Sequence, residues 1–252
     1  MRPVTRLVLS EMSRRSVLGA IGAVASACAL PTQENADIET LGKFEVVVGR
    51  PGIVIGVPHG TADTGTWDIG RVLCQRLGAS GVFVSGFWDG KTRQRINVNR
   101  PTEQIISTQS QVVRQWHSDR AAVANARYVT SVKDAANGPL QAFYEIHSNH
   151  RPQYVGSIEV STVGVCRSEA SRFKDAFLSA IGRLPSDAPR LTVHVSPIDL
   201  VTYPNYGDAS SIARISRKGC AIEHPIAATH RTWRVAFAGC LAEAIQAARW
   251  DA

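Results

Sequence analysis

Val54-Ile55-Gly56-Val57-Pro58-His59-Gly60-Thr61-Ala62-Asp63-Thr64-Gly65-Thr66 holds an apolar run that breaks at Pro-His-Gly. Val and Ile in a short run read as a buried strand. Gly60 and Gly65 allow a tight loop, and Thr66 is suited to cap the helix read from Trp67 to Leu77. A histidine that closes a strand, with Asp63 four residues on, places two metal-ligand types at the end of a sheet. The plainer alternative is a strand-loop-helix connection whose histidine only packs.

Outward from this stretch the pattern alternates. Phe44–Val48, Ile53–Val57 and Val82–Val84 read as strands, and Thr92–Val98 as extended chain. Glu103 to Ala126 carries apolar residues at helical spacing. Ala142–Ile146 and Gly156–Val160 read as strands, Glu169–Ile181 as helix, Leu191–Val195 and Cys220–Glu223 as strands, and Thr232–Ala248 as a last helix. Strands separated by helices predict an α/β fold in three layers, with a mixed, mostly parallel sheet covered by helices on both faces. No internal repeat or second domain is evident.

The 252 residues are 44% hydrophobic, enough for one sizeable core. The formal charge is +7, part of it in Arg2, Arg6, Arg14 and Arg15 against Glu11. No Lys/Arg run with interleaved aromatics occurs, which argues against a nucleic-acid partner. Ser13-Arg14-Arg15-Ser16-Val17-Leu18 precedes a short apolar run, Ala20 to Ala27, ending in small residues. A charged start, a core too short to span a bilayer and small residues at its end describe a cleavable export signal. Ser-Arg-Arg before Val-Leu resembles a bacterial twin-arginine signal, which implies the export machinery as a partner and a periplasmic or extracellular location. Met12 is an alternative start. Cys28 is a candidate lipid-anchoring site, although Ala25 stands where such sites carry Leu. The expected organisation is an export signal at 1–30, a linker at 31–42 and a single catalytic domain at 43–252. Of the remaining cysteines, Cys74, Cys166, Cys220 and Cys240, none forms a Cys-x-x-Cys pair. They read as small buried residues or as disulfide partners whose pairing the sequence leaves open.

Three later pieces bear on function. Phe143-Tyr144-Glu145-Ile146-His147-Ser148-Asn149-His150 is a second apolar strand that ends in a histidine. Two such strands in a parallel sheet present both imidazoles at one edge, where open α/β sheets bind ligands. His59, Asp63 and His147 then form a two-His, one-carboxylate set that suits one catalytic zinc ion. His150 lies in the following loop, where it suits substrate. Arg95-Ile96-Asn97-Val98-Asn99-Arg100-Pro101 holds an Arg beside an Asn, a pair that can fork onto a carboxylate. In Cys220-Ala221-Ile222-Glu223-His224-Pro225 a carboxylate closes an apolar strand, a costly placement unless it is paired, hydrated or used.

Pro-His-Gly, Asn-x-Asn-Arg-Pro, Ile-His-Ser and Ile-Glu, in that order, resemble the zinc carboxypeptidase-like superfamily. The nearest branches are the N-formylglutamate amidohydrolases and the phage-type poly-γ-glutamate hydrolases. The resemblance implies His59, Asp63 and His147 as zinc ligands, Asn99 and Arg100 as the grip on a substrate carboxylate, and Glu223 as general base. It covers roughly residues 44–248. The acidic ligand is Asp rather than Glu and sits at a longer spacing than in carboxypeptidases, so Asp68 stands as a rival. Tyr203, Tyr206 and His224 lie near the expected site in sequence, with Tyr206 the candidate for substrate. The expectation is an exported zinc-dependent hydrolase of a carboxylate-bearing amide. The other expectation is a non-catalytic envelope protein that binds peptide or cell-wall fragments.

Overall fold

A computed structural model describes residues 40–108, 112–151, 154–202, 212–225 and 230–250. The export signal with Arg14, Arg15 and Cys28, nearly all of the linker, and Tyr203 and Tyr206 lie outside the described residues.

Among the described residues, eleven strands and four α-helices follow one another. They are β1 (Gly42–Val47), β2 (Arg50–Val57), α1 (Thr66–Leu77), β3 (Ala79–Gly86), β4 (Trp88–Asp89), β5 (Gln94–Asn97), β6 (Thr102–Ile106), β7 (Val112–His117), α2 (Asp119–Ala136), β8 (Ala142–Asn149), β9 (Ser157–Val163), α3 (Arg167–Gly182), β10 (Thr192–Val195), β11 (Lys218–Pro225) and α4 (Arg234–Ala248). A short 3₁₀ turn, Ile212–Ile215, precedes β11.

Seven strands form one sheet in the order β1-β3-β2-β8-β11-β9-β10. The central run β3-β2-β8-β11 is parallel throughout, while β1 pairs antiparallel with β3 and β9 antiparallel with β11. The sheet is therefore mixed and mostly parallel. Its central strands β2 and β3 bury consecutive residues on both faces, as a sheet covered on both sides requires. Ile53, Ile55 and Val57 of β2 pack with Leu73, Phe173, Phe177 and Leu241, on the side of α1, α3 and α4. Val54 of the same strand packs with Phe143 and with Ala124, Tyr128 and Val132 of α2 on the other side. The three layers match the reading from sequence.

A second, four-stranded sheet, β4-β5-β6-β7, corrects the helix read over Glu103–Ala126. All its pairings are antiparallel. The helix starts only at Asp119, where the Ser118 hydroxyl accepts from the Ala121 N–H. Ile105, Ile106, Val112, Val113 and Trp116 do fall at helical spacing, which misled the reading. The β-branched side chains of Ile105, Ile106, Val112 and Val113, however, lose rotamer freedom in a helix and, like Trp116, fit a pleated surface.

The loop after β2 is also corrected in detail. Gly65, at φ 86°, is the N-cap of α1, and Thr66 is the first helical residue. The Thr66 hydroxyl donates backwards to the Asp63 carbonyl at 2.7 Å and so ties the loop together instead of capping the helix. Gly60 is needed for space, since a Cβ there would lie 1.7 Å from the Trp67 ring nitrogen. Cys74, Cys220 and Cys240 are free and buried, whereas Cys166 is free and exposed at the start of α3, against the reading of all four as small buried residues or disulfide partners.

Candidate metal centre

Alternation along β8 sends Tyr144 and Ile146 into the α1/α3/α4 side and leaves Glu145 and His147 on the α2 side. On β11, Glu223 is the register partner of His147. The loop after β2 brings His59 and Asp63 to the same place. One donor atom from each of His59, Asp63 and His147 lies within 4.8 Å of the others, and all three residues are buried. Both histidines turn Nδ1 toward Asp63 Oδ2, at 3.6 Å for His59 and 3.5 Å for His147. Asp68, the rival, points outward from α1 and pairs with Arg234.

Two further features test whether this cluster suits a metal. Neither ring nitrogen of His59 has a hydrogen-bond partner among the described residues, although both are buried. Such orphaned nitrogens are costly unless something else binds them. His147 is held from behind: Nε2 lies 3.0 Å from Glu145 Oε2. A carboxylate behind a histidine fixes the tautomer that leaves Nδ1 free to coordinate. Glu145 in turn accepts from the Asn99 amide at 3.1 Å and from the Tyr128 hydroxyl at 3.3 Å. Gly56 makes room for this contact, because a Cβ there would lie 2.3 Å from the Tyr128 oxygen. The donor set and its support fit a small divalent ion.

The electrostatics follow from burial and from these neighbours. Burial, helped by the Arg95 cation, lowers the His59 pKa to about 4, so this ring is neutral at pH 7. Burial also opposes charge on His147, but the Asp63 and Glu145 carboxylates outweigh it and raise the pKa to about 10 in the metal-free protein. Burial pushes Asp63 toward the neutral acid, yet the two histidines hold it well below the usual range. For Glu223 burial prevails and raises the pKa, against the pull of His147.

The cluster forms the floor of a cavity of about 370 Å³. Glu223, Asn99, Arg100 and His150 all line it, together with Arg93, Arg95 and Arg151. Asn99 serves two surfaces, since its amide nitrogen is spent on Glu145. His150 lies 3.0 Å from the Ser148 hydroxyl. His224 is turned away: it packs edge-on to Phe237 at 5.4 Å on the opposite face of β11, and burial lowers its pKa to about 3. Three contributors went unassigned in the sequence reading. Glu145 had a signal, a carboxylate two residues before His147 and so on the same strand face. Arg95 stood in a quoted motif without a role of its own. Tyr128 had none, because its reach depends on Gly56.

No protein-family model matches the chain, and no curated protein matches it significantly. Solved structures do. The Atu2144 gene product of Agrobacterium tumefaciens is 16% identical with a TM-score of 0.51, over 83% of this chain and 96% of that one. A bacteriophage poly-gamma-glutamate hydrolase is 13% identical with a TM-score of 0.49, over 82% and 88%. A metallo-carboxypeptidase from Burkholderia cenocepacia is 12% identical with a TM-score of 0.46, over 86% and 67%. At these identities the likeness is one of fold alone: the chain shares its α/β architecture with the Atu2144 gene product.

Proposed function

We propose that this chain is an exported, zinc-dependent hydrolase that cleaves the amide bond of a substrate bearing a carboxylate. The observation that carries the reading is the convergence of His59, Asp63 and His147 beside Glu223 on the floor of an arginine-lined cavity. Two imidazoles and one carboxylate make a set that zinc uses in catalytic sites. Held there, the ion would supply Lewis acidity toward a substrate carbonyl and toward water.

The protein's own groups supply the rest. Glu223 takes the proton of the attacking water and passes it to the leaving amine nitrogen. Its raised pKa suits that exchange, because a base nearer neutrality both accepts and returns a proton. Arg100 holds the substrate carboxylate, and this fixes the amide over the cluster. Glu145, Asn99 and Tyr128 act through His147 by holding its ring in one orientation. No helix among the described residues is long and apolar enough to cross a membrane. Export is carried by the Arg14-Arg15 signal, and attachment through Cys28 would retain the protein at the envelope.

A panel of N-acyl glutamates and glutamyl peptides tests this reading, run with the protein as purified and after chelation. Hydrolysis of one member, lost on chelation and restored by zinc, is expected. Hydrolysis that survives complete removal of metal would contradict it, as would a panel untouched by the zinc-loaded protein.

A further inference from the structure

Residues directly opposite each other on an antiparallel sheet share a face. On the small sheet Trp88 stands opposite Arg95, Arg95 opposite Gln104, and Gln104 opposite Gln115. All four line the cavity. One unbroken row therefore crosses the sheet, from β4 to the edge strand β7.

The row from Arg95 outward is hydrogen-bonded in one sense. The Arg95 guanidinium donates to Gln104 Oε1 at 2.9 Å, and the Gln104 amide donates to Gln115 Oε1 at 2.8 Å. Its head lies at the metal cluster, with Arg95 Nη1 3.8 Å from Asp63 Oδ1. Arg95 Nε is buried and has no partner among the described residues. Its far end, Gln115, is exposed on β7. Ile106 and Val112, the adjacent cross-strand pair, face the same cavity and give the row an apolar border. The reverse side of the sheet is closed by Glu103, which pairs with Arg120 and Ser118 at the start of α2. The row thus faces the cavity alone.

A substrate of one residue, held by Arg100 over the cluster, leaves Gln104 and Gln115 unused. Two strand spacings of about 4.8 Å separate Arg95 from Gln115, roughly 10 Å in all, and an extended chain covers that in about three residues at about 3.3 Å each. The one-way donation leaves the Gln115 amide nitrogen as the outermost donor, which suits a carbonyl or carboxylate oxygen. The arginines of the cavity favour an acidic chain.

We propose that the Trp88-Arg95-Gln104-Gln115 row is a distal subsite for an extended, carboxylate-bearing oligoamide, so that the protein acts on oligomers in preference to single N-acyl amino acids. The inference rests on the hydrolase reading above. The probes are N-acetylated glutamate oligomers of one to four residues, in α- and γ-linked series. In the wild type, kcat/KM should rise by at least about tenfold from the shortest probe to the longest in one series. Gln115→Ala should remove about 3- to 10-fold of that advantage, the usual worth of one hydrogen bond, and Gln115→Glu should remove more by repelling the acidic chain. Gln115 is exposed, so both variants should keep the wild-type melting temperature. Equal kcat/KM at all lengths, or an unaltered length profile in both variants, would overturn the subsite. If no amide is cleaved at all, the hydrolase reading fails, and calorimetric titration of the tetramers still decides the row. Binding several-fold weaker in Gln115→Ala would support it, while equal binding or none would overturn it.

Discussion

The two sheets of this molecule do opposite work with opposite surfaces. The seven-stranded sheet is parallel at its centre, and its central strands pack apolar side chains against helices on each side. Near the C-terminal ends of its parallel strands, β8 and β11 set His147 beside Glu223. The four-stranded sheet is antiparallel, has one face on α2 and the other on the cavity, and ends in the exposed strand β7. A buried parallel core holds a few groups rigidly, which a metal site demands. A small sheet with a free edge can vary its outward row at little cost to the core, which selectivity demands. In the proposed reading, chemistry and selectivity fall on separate frames that meet at Arg95 and Asp63.

Substitutions in the two frames should therefore differ in size and in kind. The largest loss is expected in the main sheet. Glu223→Gln keeps the shape of the side chain but cannot accept a proton, so turnover should fall by about 10²- to 10⁴-fold. Metal content should be retained, because Glu223 is outside the ligand set. A variant with full metal and undiminished hydrolysis would remove Glu223 from the mechanism. If the protein only binds its ligand, the same variant would leave affinity nearly unchanged, with no turnover to lose.

The next effect concerns the support behind the cluster. Glu145→Ala leaves His147 without its rear acceptor, and zinc affinity should fall by about 10- to 100-fold. Competition with a chromophoric chelator measures it. Unchanged affinity would mean that the strand alone orients the ring.

The smallest effect is expected on the reverse side of the small sheet and should appear in stability rather than turnover. Hydrogen bonds from Arg120, together with Ser118 and Gln94, lower the Glu103 pKa from an ordinary 4.5 to about 2. A depressed acid stabilises the fold fully above its unfolded pKa, and that contribution disappears as the pH falls through the folded one. Glu103 should therefore contribute about 2 kcal/mol at neutral pH, allowing for the half-exposed Arg120. Urea melts should show that contribution fading between pH 4.5 and 2 in the wild type and absent in Glu103→Gln. Parallel pH profiles for the two proteins would show that the pair contributes nothing.

The main sheet was largely legible in the sequence, and the small sheet was not. Ile53–Val57 and Ala142–Ile146 are short, β-branched or aromatic, and bounded by breakers, so only a strand fits them. Their terminal histidines could be placed at one edge because parallel strands end together. The segment from Glu103 to Trp116 carries a helical and a strand period at once, and sequence alone does not separate them. Its strand character is set by packing on α2 and by the Glu103–Arg120 pair, which no local pattern reveals. The same limit hid the support of the cluster. Tyr128 reaches Glu145 only because Gly56, 72 positions earlier, has no side chain in the way.

The claim on which everything else rests is that His59, Asp63 and His147 hold one ion. The direct measurement is metal content by elemental analysis, on wild type and His59→Ala, after both are stripped and reconstituted with zinc. The account predicts one zinc per chain in the wild type and well under half of that in His59→Ala, with both proteins folded. A wild type that takes up no zinc, or a His59→Ala variant that retains a full equivalent, would contradict it.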